Sequence, residues 1–136
     1  MTKIYIDENF AHQLAEGLEI FQQHLNQKEK HQFQVLSIKQ VFGQGALDED
    51  WIPVAGREKA IVITQDLRIQ TTRHQYQLYK EHGLGVFFFK SPSNGYTFWE
   101  MVEQVIKRWT EIKKKSKSKR PFAFRYKNKS QIEELK

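Results

Sequence analysis

Two short apolar runs, Ile4-Tyr5-Ile6 and Ile61-Val62-Ile63-Thr64-Gln65, each end in acid: Asp7-Glu8-Asn9 follows the first and Asp66 the second. Their β-branched and aromatic content makes both strand-like. After the first run, Leu14, Leu18, Phe21 and Leu25 recur at helical spacing. This predicts a helix from Phe10 to about Leu25, capped by Asp7 or Asn9. The polar stretch 26–32 reads as a loop, and a second strand is predicted near Phe33–Ile38. Gly43-Gln44-Gly45 marks a turn before Asp48-Glu49-Asp50. Pro53 is tolerated only near a helix start and Gly56 favours a stop, so Asp48–Ala55 is predicted to hold one or two helical turns.

The unbroken apolar character of Ala60–Thr64 suggests burial on both faces, as in a central parallel strand. A helix over Thr72–His82, stopped by Gly83, and a strand over Gly85–Lys90 follow. Beyond the turn-rich Ser91-Pro92-Ser93-Asn94-Gly95, one long helix is striped by Phe98, Val102, Val105 and Trp109, with Ile106 and Ile112 beside them. The stripe, with Trp99, reads as core or as the seam of a homodimer. Alternating strands and helices imply an α/β fold, a single domain with a central, mainly parallel sheet flanked by helices. Parallel neighbours would bring their acid-tipped carboxyl ends to one edge, where such folds place their sites.

Composition narrows the chemistry. At 136 residues the chain supports one core, and ten Phe, five Tyr and three Trp supply it. The absence of Cys excludes disulfides, thiol catalysis and thiolate-bound metals. No basic, apolar leader and no apolar window of membrane-spanning length is visible, so a cytoplasmic protein without membrane association is expected.

Charge divides the chain. Residues 1–106 hold ten Lys or Arg against thirteen Asp or Glu, whereas residues 107–129 hold eleven against one, within a net charge of +6. The basic part includes Lys113, Lys114, Lys115, Lys117, Lys119 and Arg120. It reads as a solvated linker, or as a grip for an acidic protein tail or for a polyanion such as RNA. We therefore divide the chain into a domain over 1–112 and a basic C-terminal extension over 113–136 that packs on the domain or on a partner. Within the extension, Phe122-Ala123-Phe124-Arg125-Tyr126 alternates like a strand at an edge or in a partner's groove. Its aromatics either pack on the domain or stack on unpaired bases.

Asp7, Asp48 and Asp66 are the candidate catalytic residues. Singly, each reads first as a cap or turn former. Together they stand at three points that a parallel sheet can bring close, and carboxylates gathered there need a cation to offset their repulsion. Oxygen donors from these three, supported by Glu8 or Asp50, suit Mg²⁺ or Mn²⁺. Such an ion could activate water against a phosphodiester. Thr64 could orient a carboxylate or water. Arg68 and Arg73 could contact a phosphate near the scissile bond, or make weak surface pairs. The five histidines, His12, His24, His31, His74 and His82, form no ligand pattern.

The order Asp7-Glu8-Asn9, then Gly45-Ala46-Leu47-Asp48-Glu49-Asp50-Trp51, then Ile63-Thr64-Gln65-Asp66 resembles the PIN-like nucleases, and within them the VapC-like toxins, over roughly residues 3–110. The resemblance implies a small α/β domain that cleaves RNA with a divalent metal and water and is neutralised by a small cognate antitoxin. It places the strand-end acid on Asp7, the helix-start acid on Asp48 and the acid after the threonine on Asp66, with Asn9 in the first motif. For a fourth acid, Glu8 and Asp50 are both candidates. A member with an incomplete acidic set would instead be a noncatalytic RNA- or protein-binding module.

Overall fold

The computed structural model describes the backbone of residues 1–66, 69–127 and 132–135, and the side chains of residues 1–65, 73–127 and 132–135. Among them the chain runs β1 (Thr2–Ile6), α1 (His12–Asn26), β2 (Phe33–Ser37), α2 (Ile38–Phe42), α3 (Asp48–Arg57) and β3 (Ile61–Asp66). It continues through α4 (Ile69–Glu81), β4 (Gly85–Lys90), α5 (Phe98–Lys107), α6 (Trp109–Lys115), β5 (Phe122–Tyr126) and β6 (Ile132–Glu134). The strands form one sheet in the order β2-β1-β3-β4-β5-β6. The first five are mutually parallel, and β6 lies antiparallel to β5.

The sheet is covered on both faces. Ile4, Ile6, Ile61 and Ile63 turn to a cluster with Leu14 and Leu18 of α1, Val105 of α5 and Trp109 and Ile112 of α6. Tyr5, Val62 and Val86 turn to the other face, against Trp51 and Ile52 of α3 and Tyr79 of α4. Alternate strand residues thus enter opposite layers. This explains the unbroken apolar run in β3, as the sequence predicts for a doubly covered central strand.

Several local expectations give way to tertiary packing. The residue before α1 is Ala11, with no side-chain cap, so neither Asp7 nor Asn9 caps that helix. Phe21, placed on its core stripe by spacing, is exposed, and the neighbouring Gln22 is fully buried. The second strand stops at Ser37, whose hydroxyl accepts from Gln40 N and opens α2, an element the sequence pattern missed. The helix expected to stop within two turns runs through Pro53 and Gly56 to Arg57, because Trp51, Ile52 and Ala55 are buried along it. Gly56 serves a close approach there: a Cβ would stand 2.4 Å from the carbonyl oxygen of His82.

The expected long helix divides into α5 and α6 at Arg108. Phe98 and Trp99 lie in the first turn of α5 and are exposed, so they are not core. The strand Phe122–Tyr126 takes neither an edge nor a partner's groove. It lies inside the sheet between β4 and β6, and Phe122, Phe124 and Tyr126 are buried beside Phe87.

Candidate active site at the carboxyl edge

The strand order reverses between β1 and β3. From β1 the chain moves outward to β2 and then back across β1 to β3. In doubly wound sheets the loops diverge at such a point and leave a crevice at the carboxyl ends of the strands. Asp7 extends the β1–β3 pairing by one residue, its N–H donating to Ile63 O at 2.9 Å. This sets it beside Thr64.

Both Asp7 oxygens are engaged. Oδ2 accepts from the Thr64 hydroxyl at 2.6 Å, and Oδ1 from the Glu8 backbone N–H at 2.7 Å. Thr64 is fully buried, and its oxygen accepts from the Asn9 amide at 3.3 Å. The Gln65 amide in turn holds the Asn9 carbonyl at 2.6 Å. The β1–α1 turn is therefore fastened to the end of β3 by side chains from both segments.

Asp48 is the first residue of α3 and accepts from the Trp51 indole N–H at 3.2 Å, one helical turn on. Glu8 accepts from Gly45 N at 3.1 Å, which draws the turn before α3 toward the end of β1. Burial pushes the Asp7 carboxyl above its ordinary range. The Thr64 and Glu8 N–H hydrogen bonds oppose that shift, and the charges of Asp48 and Glu8 add to it. Asp48 is therefore close enough for its charge to be felt at Asp7. The buried Tyr79 hydroxyl is raised by desolvation first and then by the charges of Asp7 and Asp48. It has no hydrogen-bond partner among the described residues, and neither does Asn9 Oδ1.

The donors gathered here are hard oxygens: two carboxylates and an unpaired amide oxygen. That chemistry fits Mg²⁺ or Mn²⁺ rather than a softer metal. Among the described residues no group of three His, Cys, Asp or Glu is arranged to hold a metal ion. The Asp66 side chain and the whole of Arg68 lie outside the described residues. Asp66 ends β3, with Lys90 as its backbone partner on β4. Asp50 and Glu8 are exposed, and Arg73 is exposed on α4. Gln65, Trp51 and Tyr79 take up contacts at this site that the sequence pattern assigns to none of them. A Gln at the end of an apolar strand and a Trp three residues after Asp48 were the available signals.

Residues 2–91 match the PIN-like domain. The chain belongs to the PIN-like domain family. The PIN-like region spans β1 to β4 and includes Asp7, Asp48 and Asp66, while α5, α6, β5 and β6 lie beyond it. No curated protein and no solved structure matches the chain. The PIN-like superfamily includes nucleases, and no described helix is long and apolar enough to cross a membrane.

The basic run of this PIN-like protein is not uniformly available to a ligand. Lys113 is buried and paired with Glu29 at 2.7 Å. Lys115 sits 4.7 Å from the Phe124 ring centre. Arg120 donates to Ser116 O and Ser118 O at 2.7 Å and to Lys59 O at 3.2 Å. Lys114, Lys117 and Lys119 are exposed.

Proposed function

We propose that this PIN-like domain is a divalent-metal-dependent endoribonuclease and the toxin of a type II toxin–antitoxin pair, in the VapC-like branch. The supporting observation is the Asp7 carboxylate at the β1/β3 reversal, oriented by Thr64 and within electrostatic reach of Asp48. Asp7, Asp48 and Asp66 would hold Mg²⁺ or Mn²⁺, with Asn9 Oδ1 as a further oxygen donor and Glu8 or Asp50 in support. When bound, the ion supplies charge neutralisation at the phosphodiester and lowers the pKa of water. Thr64 and the Glu8 N–H hold the Asp7 carboxylate in place, with one hydrogen bond to each oxygen. Arg73 and Arg68 are the candidates to hold a phosphate beside it. Exposed apolar side chains, Ile20 and Phe21 on α1 and Phe98, Trp99 and Ile106 on α5, are what an antitoxin or a second copy would cover.

The test is cleavage of a mixed panel of structured and single-stranded RNAs with Mg²⁺, Mn²⁺ or EDTA, using wild type, Asp7→Asn and Asp66→Asn. Metal-dependent cleavage absent from both folded variants is expected. Undiminished cleavage by either variant refutes the metal-site assignment. The alternative reading is a noncatalytic RNA- or protein-binding module on the same PIN-like scaffold. Calorimetric titration with Mn²⁺ separates the two readings, because the module binds no ion at this edge.

A further inference from the structure

The acidic centre and the basic run occupy opposite ends of the sheet. Met1 precedes β1, Lys59 precedes β3 and Gly83 precedes β4, and these three line one groove together with Lys119 and Arg120. His82, just after α4, lines it too. A second groove lies between the end of α1, the start of β2 and α6, lined by Lys30, His31, Lys114 and Lys117. His31 lies between the two: its ring is 2.7 Å from the Thr2 hydroxyl. Its pKa is held low by burial and then by the positive charge of Lys117. Both grooves open at the amino ends of the parallel strands. From there to Asp66 is the length of β3, about 20 Å at ~3.3 Å per residue.

The charges at this end divide into structural and available ones. Lys113 is committed to Glu29, and Lys3 to Glu58. The two acids lining these grooves are thereby offset. Arg120 is engaged by backbone carbonyls. Lys30, Lys59, Lys114, Lys117 and Lys119 remain exposed. Of the large exposed apolar side chains, only Met1 lines either groove among the described residues. Protein partners need apolar anchors at the centre of a docking surface. A surface of lysine heads without such anchors suits a polyanion backbone.

We propose that Lys114, Lys117 and Lys119, with Lys30 and Lys59, form a second RNA surface on the amino-terminal edge of the sheet, which grips phosphodiester backbone remote from the acidic centre. The choice of RNA as the polyanion rests on the nuclease reading, but the grip requires neither metal nor cleavage. An RNA that occupies both edges must span more than about 20 Å. This surface therefore adds affinity for long strands and none for short fragments bound at the acids.

The test is fluorescence anisotropy, in EDTA and over a series of salt concentrations, with a labelled unstructured RNA long enough to span the domain. The full chain is compared with the triple variants K114E/K117E/K119E and K114Q/K117Q/K119Q, each verified as folded by circular dichroism. Charge reversal should weaken binding at least tenfold. Both variants should show a log K against log salt slope shallower by about 2, at ~0.7 per phosphate contact on a single strand. Unchanged affinity and slope in both variants overturn the proposal. So does a wild type that binds poly-glutamate and not RNA. Because binding is read without metal, an inactive acidic centre would sink the nuclease reading and leave this result standing.

Discussion

Replacing Gln22 by Leu makes a fully buried helix position more apolar and should nonetheless weaken the fold. Gln22 Oε1 accepts from the indole N–H of Trp109 at 3.0 Å, and its amide donates to Asn26 Oδ1 at 2.8 Å. Asn26 in turn accepts from Phe33 N at 3.1 Å and donates to Phe33 O at 2.8 Å. One polar chain therefore ties α6, α1 and β2 together beneath the sheet. With Leu at position 22, the Trp109 N–H is left buried without an acceptor, a cost of about 1–3 kcal/mol. Asn26 keeps both bonds to Phe33 and loses one donor, about 1 kcal/mol. The extra apolar area of Leu returns roughly 1 kcal/mol. The net is ~2 kcal/mol of destabilisation, or about 6 °C in Tm for a domain of this size. Urea unfolding of Gln22→Leu, Trp109→Phe and the double variant isolates the contact. Removing both partners together should cost less than the sum of the single changes, with a coupling of at least about 1 kcal/mol. A Gln22→Leu protein as stable as wild type, with effects that simply add, would refute the reasoning.

The Asp7 carboxyl is raised in the fold from its ordinary 3.8. Between that value and the raised one the folded state holds more protons than the unfolded, so stability should fall as pH rises through this window and then level off. Urea midpoints of wild type and Asp7→Asn in EDTA should diverge in favour of the variant as pH increases, and a difference that is constant with pH counts against it. Gly85→Ala would put a Cβ 2.3 Å from Phe122 Cζ and 2.9 Å from Ile61 Cδ1. Overpacking of this kind costs about 1–3 kcal/mol, and a melting temperature unchanged from wild type would contradict it. Lys59 follows the last turn of α3 at φ 54°, a left-handed conformation that costs a side chain roughly 1–2 kcal/mol. Lys59→Gly should therefore raise thermal stability by about 1 kcal/mol, and a lowered melting temperature would be the contrary result.

The strand runs were legible because their signal is local. Ala60 to Ile63 carries no polar face, and a chain segment with two apolar faces has few places other than the centre of a covered sheet. The acids were legible as strand-end and helix-start residues for the same reason. The capping box at α5 was also there to be read: Thr97 accepts from Glu100 N at 3.2 Å while the Glu100 side chain accepts from Thr97 N at 2.9 Å. It fixes the start of α5 with Phe98 and Trp99 in its first turn, where they remain exposed.

The pattern of the chain by itself determined the alternation of strands and helices, the parallel α/β class and the residue types available for hydrolytic chemistry. These follow from periodicity and from residues a few positions apart. Tertiary structure decided the rest. Helical spacing alone could not choose between Phe21 and Gln22, because the choice rests on an indole 87 residues away. Thr64 became a partner of Asp7 only because β3 lies beside β1. The basic run went to the amino edge because β5 enters the sheet parallel to β4, so the residues before it lie at the end opposite the acids. Strand order is set by which layers of side chains pack best across the whole sheet, and that sum is not written in any local stretch of the chain.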